Sequence, residues 1–287
     1  MDNRLFVAYC FDDAYVMPTL ASTTSLLNKT PSAIIFLFYR LAQPLNLKFL
    51  EFAIRHVHPT ADLRFRNLKG YDWASENHGS HLLHTSPCSN DRLVISEILE
   101  KTDPDVTRLL YLDGDTIVFS DLSIFVKDLK LPKSGVGARR YGSIRSKVWG
   151  HGAAGGSSLS RSTPALNAGV LVLDLNLLRT NNFPKFCQDI LRNHPSNDQA
   201  LFNLYCHGCF ARLPVEINMF VSETDKPWFG PPQILHCAGK SFKFWASPET
   251  ERLNRYGALW RRLLPTPQLH KIFAIKAEEH KNDTLCY

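Results

Sequence analysis

The sequence predicts an α/β protein with a mainly parallel central sheet flanked by helices. Three observations carry that expectation. Leu5 to Tyr9 and Ala33 to Tyr39 are continuous apolar runs, the pattern of strands buried on both faces. Segments of helical periodicity alternate with them, giving a β-α-β-α-β order from Leu5 to Leu68. A later apolar strand, Leu109 to Leu112, runs into Asp113-Gly114-Asp115, so two carboxylates stand at a strand's carboxyl end, where ligands bind in open α/β sheets.

The elements follow in order. The first strand ends in Cys10-Phe11-Asp12-Asp13-Ala14-Tyr15, and Met17, Leu20, Leu26 and Leu27 then mark a helix closing near Asn28. After the second strand, Leu47, Leu50, Phe52 and Ile54 mark a helix over Leu45 to Val57, and Leu63 to Leu68 alternates as a third strand. Trp73 to Pro87 is polar; its His78, His81 and His84 lack Cys or carboxylate partners and read as a solvated loop. Asp91 to Glu100 is an expected helix with Arg92 at its start, either a surface charge or a fork aimed at a diphosphate. Gly135 to Arg139 is an expected strand, and Tyr141 to Thr163 is Gly- and Ser-rich without the Gly-Lys-Ser/Thr of a Walker loop, hence an expected mobile loop or lid. Asn167 to Leu175 is another apolar run, and Asn176 to Arg192 is helical. Asn197 is the expected N-cap of a helix carrying Asp198 and Gln199 in its first turn, where a carboxylate by default complements the helix dipole. Gln233 to Cys237 is a short strand delivering His236, followed by Gly239, Lys240, Lys243 and Trp245.

Composition bounds the class. The chain has 287 residues, 44% hydrophobic and 21% charged, and can bury a full core. Its apolar runs fall short of the roughly 20 residues of a membrane span. The opening residues lack the features of a signal peptide, which predicts a cytoplasmic protein. Seven scattered cysteines do not form a disulfide framework, and Cys206-His207-Gly208-Cys209 has no second pair to complete a zinc site. A net charge of +6 favours anionic partners. Nucleic acid is not among the expected ones, because no RNA-recognition, helix-turn-helix or zinc-finger signature is present.

Asp113 and Asp115 repel one another unless a cation lies between them. A divalent ion bridging to a diphosphate removes the conflict, and Gly114, with no Cβ, lets a phosphate or metal approach the backbone. The plain alternative is a surface turn, since Asp and Gly are ordinary turn residues.

Taken together, the strand ending in Asp12-Asp13, Arg92 on a helix, Tyr111-Leu-Asp-Gly-Asp115, Leu166-Asn-Ala-Gly-Val170, Asn197-Asp-Gln199 and His236-x-x-Gly239 followed by Lys and Trp resemble the retaining glycosyltransferases of family 8, which include glycogenin and bacterial lipopolysaccharide galactosyl- and glucosyltransferases. The similarity runs from Leu5 to Trp245. It implies a GT-A (Rossmann-like) domain over 1–245, followed by a basic, partly amphipathic segment over 246–287. It further implies metal-dependent transfer of a hexose, glucose or galactose foremost, from a UDP-sugar to a glycan, lipid-linked or protein acceptor, with retention of configuration. By the same resemblance Asp113, Asp115 and His236 hold Mn²⁺ or Mg²⁺, with Gly114 beside them. Asp12, Asp13 and Tyr15 hold uracil and ribose, and Arg92 lies near the donor. Asn167 and Ala168 flank the sugar, and Asp198 and Gln199 contact it near the anomeric carbon. Gly239 and Lys243 bind the diphosphate. The lysine run is one residue longer than the family pattern, with Phe244 where proline is usual, so Lys240 competes with Lys243 for that role.

Two other readings compete. Asp-Gly-Asp-Thr116 is close to the motif of haloacid-dehalogenase-like phosphatases, but the threonine is adjacent to the second Asp and the motif lies mid-chain. A non-catalytic basic binding protein is the other. In the last segment Tyr256, Leu259, Trp260, Leu263 and Leu264 form an apolar stripe beside arginines, which either packs on the core or makes weak contact with an anionic membrane surface.

Overall fold

The computed structural model describes residues 4–76, 86–144, 159–224, 226, 229–239 and 251–264. Its first strands are β1 (Phe6–Asp12), β2 (Ile34–Arg40) and β3 (Asp62–Asn67), separated by helices α1 (Val16–Leu27) and α2 (Pro44–Val57). They pair in parallel, as expected from their apolar runs. β4 (Arg108–Leu112) lies parallel to β1 on its other side. Beyond it lie β7 (Pro164–Asp174), antiparallel to β4, then β6 (Val136–Ser143) and the short β8 (Ala211–Arg212), giving the order β3-β2-β1-β4-β7-β6-β8.

Alternation of side chains along each strand splits the apolar residues between two cores. Ala8 of β1, Phe36 of β2, Tyr111 of β4 and Leu171 of β7 face one; their neighbours Val7, Ile35, Leu110 and Val172 face the other. The first core is covered by α4 (Ile95–Thr102), α6 (Leu175–Thr180), α7 (Phe183–Asn193) and α8 (Asp198–Cys206), through residues such as Ile95, Leu178, Phe183 and Phe202. The second is covered by α1 and α2 through Leu20, Leu26, Leu50 and Ile54. Helices lie on both faces, which is why these strands carry no polar alternation.

Three expected elements differ in detail. The helix expected over Asp91 to Glu100 is a 3₁₀ stretch over Pro87–Val94 that passes into α4. The helix expected over Asn176 to Arg192 breaks into α6 and α7, because Asn182 takes a left-handed φ of 52° and Pro184 opens a new helix. The strand expected at Asn167 begins earlier, at Pro164. The His78–His84 stretch, most of the Gly-rich loop and the run from Lys240 to Pro248 lie outside the described residues.

A second, three-stranded sheet joins β5 (Thr116–Val118), β10 (Ile234–His236) and β9 (Met219–Phe220). It stands on α1, whose Thr19, Ser22, Thr23, Thr24 and Ser25 are all buried. Ser22 Oγ and Thr116 Oγ1 lie 2.7 Å apart, and Ser25 Oγ accepts from the Val118 N–H at 2.9 Å. A helix that meets a strand edge must satisfy that edge's backbone, and the Ser25 hydroxyl does so.

Helix α9 (Glu251–Leu263) packs against α1. Trp260 is buried among Ala21, Ile117, Val221 and Leu235, with Tyr256, Leu259, Leu263 and Leu264 around it. The apolar stripe therefore faces the protein's own core and is not offered to a membrane. Among the described residues no helix is long and apolar enough to cross one.

Candidate active site

In the order β3-β2-β1-β4, the chain winds outward from β1 in one direction and then returns to its other side, so a crevice opens at the carboxyl ends of β1 and β4. Asp12 ends β1, and Asp113 follows β4. Both line a cleft of about 420 Å³, together with Tyr15, Arg92, Asp198 and Gln199.

Two strand pairings bring the remaining groups there. β7 runs antiparallel to β4, so the Asn167-Ala168-Gly169 portion of β7 meets the end of β4, and the Asp113 N–H donates to the Gly169 carbonyl at 2.8 Å. β10 runs antiparallel to β5 with His236 opposite Thr116, and the Cys237 N–H donates to the Asp115 carbonyl at 2.9 Å. A histidine far along the chain thereby stands beside the Asp-Gly-Asp turn. One ligand atom each from Asp113, Asp115 and His236 lie within 4.8 Å of one another. His236 Nε2 is 3.6 Å from Asp113 Oδ2 and 3.5 Å from Asp115 Oδ1. Two carboxylate oxygens and one imidazole nitrogen converging on one point form a donor set suited to Mn²⁺, and Mg²⁺ suits its oxygens. Burial, and then the Asp115 charge, push the Asp113 carboxyl above its ordinary range against the pull of Arg92, a conflict a cation would relieve.

Arg92 is not a surface charge. Its side chain is 4% exposed. Nη2 reaches Asp113 Oδ1 at 2.7 Å, Nε reaches Asp198 Oδ2 at 3.1 Å, and Nη1 donates to the Ala168 carbonyl. Tyr111 lies under the guanidinium at 4.3 Å and donates its hydroxyl to Asp113 Oδ1 at 3.1 Å. Arg92 thus ties the ends of β4, β7 and α8 together, and it is turned toward the protein's own groups. Asp198 is correspondingly an ion-pair partner inside the cleft as well as a first-turn carboxylate. Asn197 caps α8 as expected, accepting from the Ala200 N–H at 2.8 Å.

The amide residues form a chain. Gln199 Oε1 accepts from the Ala168 N–H at 3.2 Å and from Asn167 Nδ2 at 3.1 Å. Asn167 Oδ1 accepts from the Gly169 N–H at 3.1 Å and from Asn218 Nδ2 at 2.9 Å. Asn218 Oδ1 lies 2.9 Å from His236 Nδ1. Gly169 leaves room for this arrangement, since a Cβ there would overlap the His236 ring.

Asp12 caps the turn after β1, accepting from the Ala14 N–H at 3.0 Å and from the Ser86 hydroxyl. Asp13 is placed outside the cleft lining: its carboxylate accepts from the Ala42 N–H at 2.8 Å and from Asn46 Nδ2 at 2.8 Å, at the start of α2. Gly114 lines the cleft, and a Cβ on it would stand 2.5 Å from Thr19 Oγ1, so the glycine admits helix α1. Gly239, at φ 90°, turns the chain at the cleft's rim just after β10. Lys240 and Lys243 lie outside the described residues. Cys206 is buried, which pushes its thiol up to about 12, while Cys209 is exposed; the pair forms no metal cluster among the described residues.

Sequence reasoning passed over Asn218 and gave Tyr111 no role of its own. Asn218 follows Val215-Glu-Ile with no motif around it, and Tyr111 entered only as part of an apolar strand and the motif it opens.

This architecture is that of the GT-A glycosyltransferases. The galactosyltransferase LgtC, solved with donor and acceptor sugar analogs, matches with a TM-score of 0.71 at 17% identity, covering 94% of this chain and 100% of its own. The apo bifunctional glycosyltransferase WbbM matches at 0.68 and 18% identity, covering 96% of this chain and 52% of its own. The family model for glycosyl transferase family 8 matches residues 6–249, and the chain belongs to that family. In sequence it is 29% identical over 203 residues to probable galacturonosyltransferase-like 5 of Arabidopsis thaliana, covering 64% of this chain and 52% of that protein. It is 28% identical over 293 residues to probable galacturonosyltransferase-like 6 of the same plant, covering 90% and 79%. The chain therefore spans about half the length of the first relative.

Proposed function

We propose that this glycosyltransferase is metal-dependent and retaining, and moves a hexose from a UDP-sugar to a glycan, lipid-linked or protein acceptor. The observation that carries the proposal is the convergence of Asp113, Asp115 and His236 within 4.8 Å in the cleft that also holds Asp198 and Gln199. Asp113, Asp115 and His236 would hold the ion, whose positive charge would offset the negative charge developing on a departing diphosphate. Asp12 and Tyr15, which line the cleft beside the end of β1, hold the nucleoside in this reading. Asp198, fixed by Arg92, accepts hydrogen bonds from sugar hydroxyls. Gln199 has its oxygen engaged by two donors, so its Nε2 amide is the group it offers to the sugar. In the transfer the bond from the anomeric carbon to the diphosphate oxygen breaks. The acceptor oxygen bonds to the same face, and its proton leaves with the diphosphate. Gly239 at the rim and Lys243 beyond it serve the diphosphate in this reading. The names of the sequence relatives add galacturonic acid to glucose and galactose as candidate transferred units.

The test is UDP release from UDP-glucose, UDP-galactose and UDP-galacturonate, with Mn²⁺ and with EDTA. Turnover of one donor with metal is expected, together with its loss in EDTA. Asp113→Asn and Asp115→Asn should each abolish turnover and metal-dependent UDP binding while leaving the fold intact by circular dichroism. Undiminished turnover in EDTA would overturn the metal assignment. Hydrolysis of a generic phosphomonoester in place of sugar transfer would favour the phosphatase reading.

A further inference from the structure

The two backbone amides of the Asn-Ala-Gly stretch of β7 impose a direction on every hydrogen bond that follows them. A backbone N–H can only donate. The Ala168 N–H therefore makes the atom of Gln199 facing it an oxygen, and the Gly169 N–H does the same for Asn167, at 3.2 and 3.1 Å. With Asn167 Oδ1 fixed as an acceptor, the group of Asn218 that reaches it at 2.9 Å must be the amide nitrogen. The Asn218 oxygen is then the atom left to face His236 Nδ1 at 2.9 Å. An amide oxygen can only accept, so Nδ1 carries the proton.

We infer that Asn218 is a positioning residue that holds the proton of His236 on Nδ1 and leaves the Nε2 lone pair aimed at the metal. The inference rests on the metal-site reading above. The carboxylates would otherwise oppose this state. Asp113 and Asp115 lie 3.6 and 3.5 Å from Nε2, and in the absence of a cation they favour a proton there. Asn218 opposes that preference before any ion arrives. Its own surroundings hold it in place: it is fully buried, and its backbone carbonyl accepts from Arg139 Nη1 at 2.7 Å. Arg139 is in turn locked by Glu223, with both contacts at 2.6 Å. The His236 ring is pinned from the side by Phe220, edge-on at a centroid distance of 5.5 Å, and by the bare Gly169 backbone. The same chain of amides ends at Gln199, so the metal ligand and the amide that meets the donor sugar share one hydrogen-bonded line.

The experiment reads the proton and the metal separately. Long-range ¹H–¹⁵N spectra of the metal-free protein, above the ordinary imidazole pKa and assigned with His236→Gln, report which ring nitrogen of His236 is protonated. Protonation on Nδ1 is expected, and a proton on Nε2 with bare Nδ1 would overturn the inference. Calorimetric Mn²⁺ titration then compares variants. Asn218→Leu, which removes the acceptor, should weaken Mn²⁺ binding by roughly 10–100-fold, the usual effect of losing a partner behind a ligating histidine. Asn218→Asp keeps an acceptor facing Nδ1 but loses the donor to Asn167 Oδ1, and should bind Mn²⁺ more tightly than Asn218→Leu. Equal Mn²⁺ affinity in parent and folded Asn218→Leu would overturn the inference. Should Asn218→Leu fail to fold, the ring-nitrogen spectrum of the unaltered protein still decides it. Absence of Mn²⁺ binding in the parent would sink the metal reading instead, while the ring-nitrogen spectrum would still judge Asn218.

Discussion

Two glycines show how a residue with no side chain shapes this cleft. Gly169 lies where a Cβ would enter the His236 ring, whereas Gly114 lies where a Cβ would enter Thr19 of α1. Overpacking at such points costs roughly 1–3 kcal/mol. Gly169→Ala is expected to lower stability by that order and to weaken Mn²⁺ binding, because the displaced ring is the proposed ligand; parent-like values in both denaturant melts and Mn²⁺ titration would refute this. Gly114→Ala should also destabilise, but Thr19→Ala in the same chain should restore much of the loss by removing the clashing hydroxyl. A double-mutant cycle measures that coupling, and strictly additive effects would mean that α1 is not what the glycine accommodates.

Among the elements, the short β9–β10–β5 sheet decides where His236 stands, and a buried ion pair anchors the segment that feeds it. Arg139 on β6 and Glu223, just past β9, are 8% and 9% exposed. Glu223 also accepts from the Phe220 N–H at 3.0 Å. Burial works to raise the Glu223 pKa, yet these bonds more than offset it and hold the carboxyl below its ordinary value. A depressed pKa means stability that is present above the unfolded-state value and lost as pH falls through the folded one. Glu223→Gln leaves Arg139 buried without a counter-charge, and removing one partner of such a pair costs about 3–5 kcal/mol. Urea melts from neutral to acid pH should show that loss at neutrality and a flatter decline on the acid side. A variant melting like the parent across the range would show that the pair does not anchor this segment.

For the molecule as a whole, α9 completes a third, smaller core rather than standing apart. Trp260 sits among residues from α1, β5, β10 and the turn after β9. Truncating a buried tryptophan costs about 3–5 kcal/mol. Trp260→Ala is therefore expected to lower the cooperative melting transition of the entire chain. An unchanged transition, or a separate early one for the C-terminal residues alone, would mean that the helix is not part of the cooperative unit.

Much of this was legible in the order of residues. The runs Leu5 to Tyr9, Ala33 to Tyr39 and Leu109 to Leu112 are apolar without alternation, and burial on both faces is the physical condition that permits such strands. That alone determined the three-layer α/β plan. It also placed Asp113 and Asp115 at a strand's carboxyl end, because an apolar strand must surface where its carboxylates begin. The Asn197 cap was readable for the same local reason, its side chain serving an amide three residues on. What only the tertiary structure decided is long-range pairing. The antiparallel registers of β7 on β4 and β10 on β5 bring Asn167 and His236 to the Asp-Gly-Asp turn, and no local propensity encodes a register between segments so distant along the chain. The roles of Asn218, Tyr111 and Arg92 are set the same way. Their meaning lies in partners supplied by other strands and helices, which exist as partners only once the sheet has closed around the cleft.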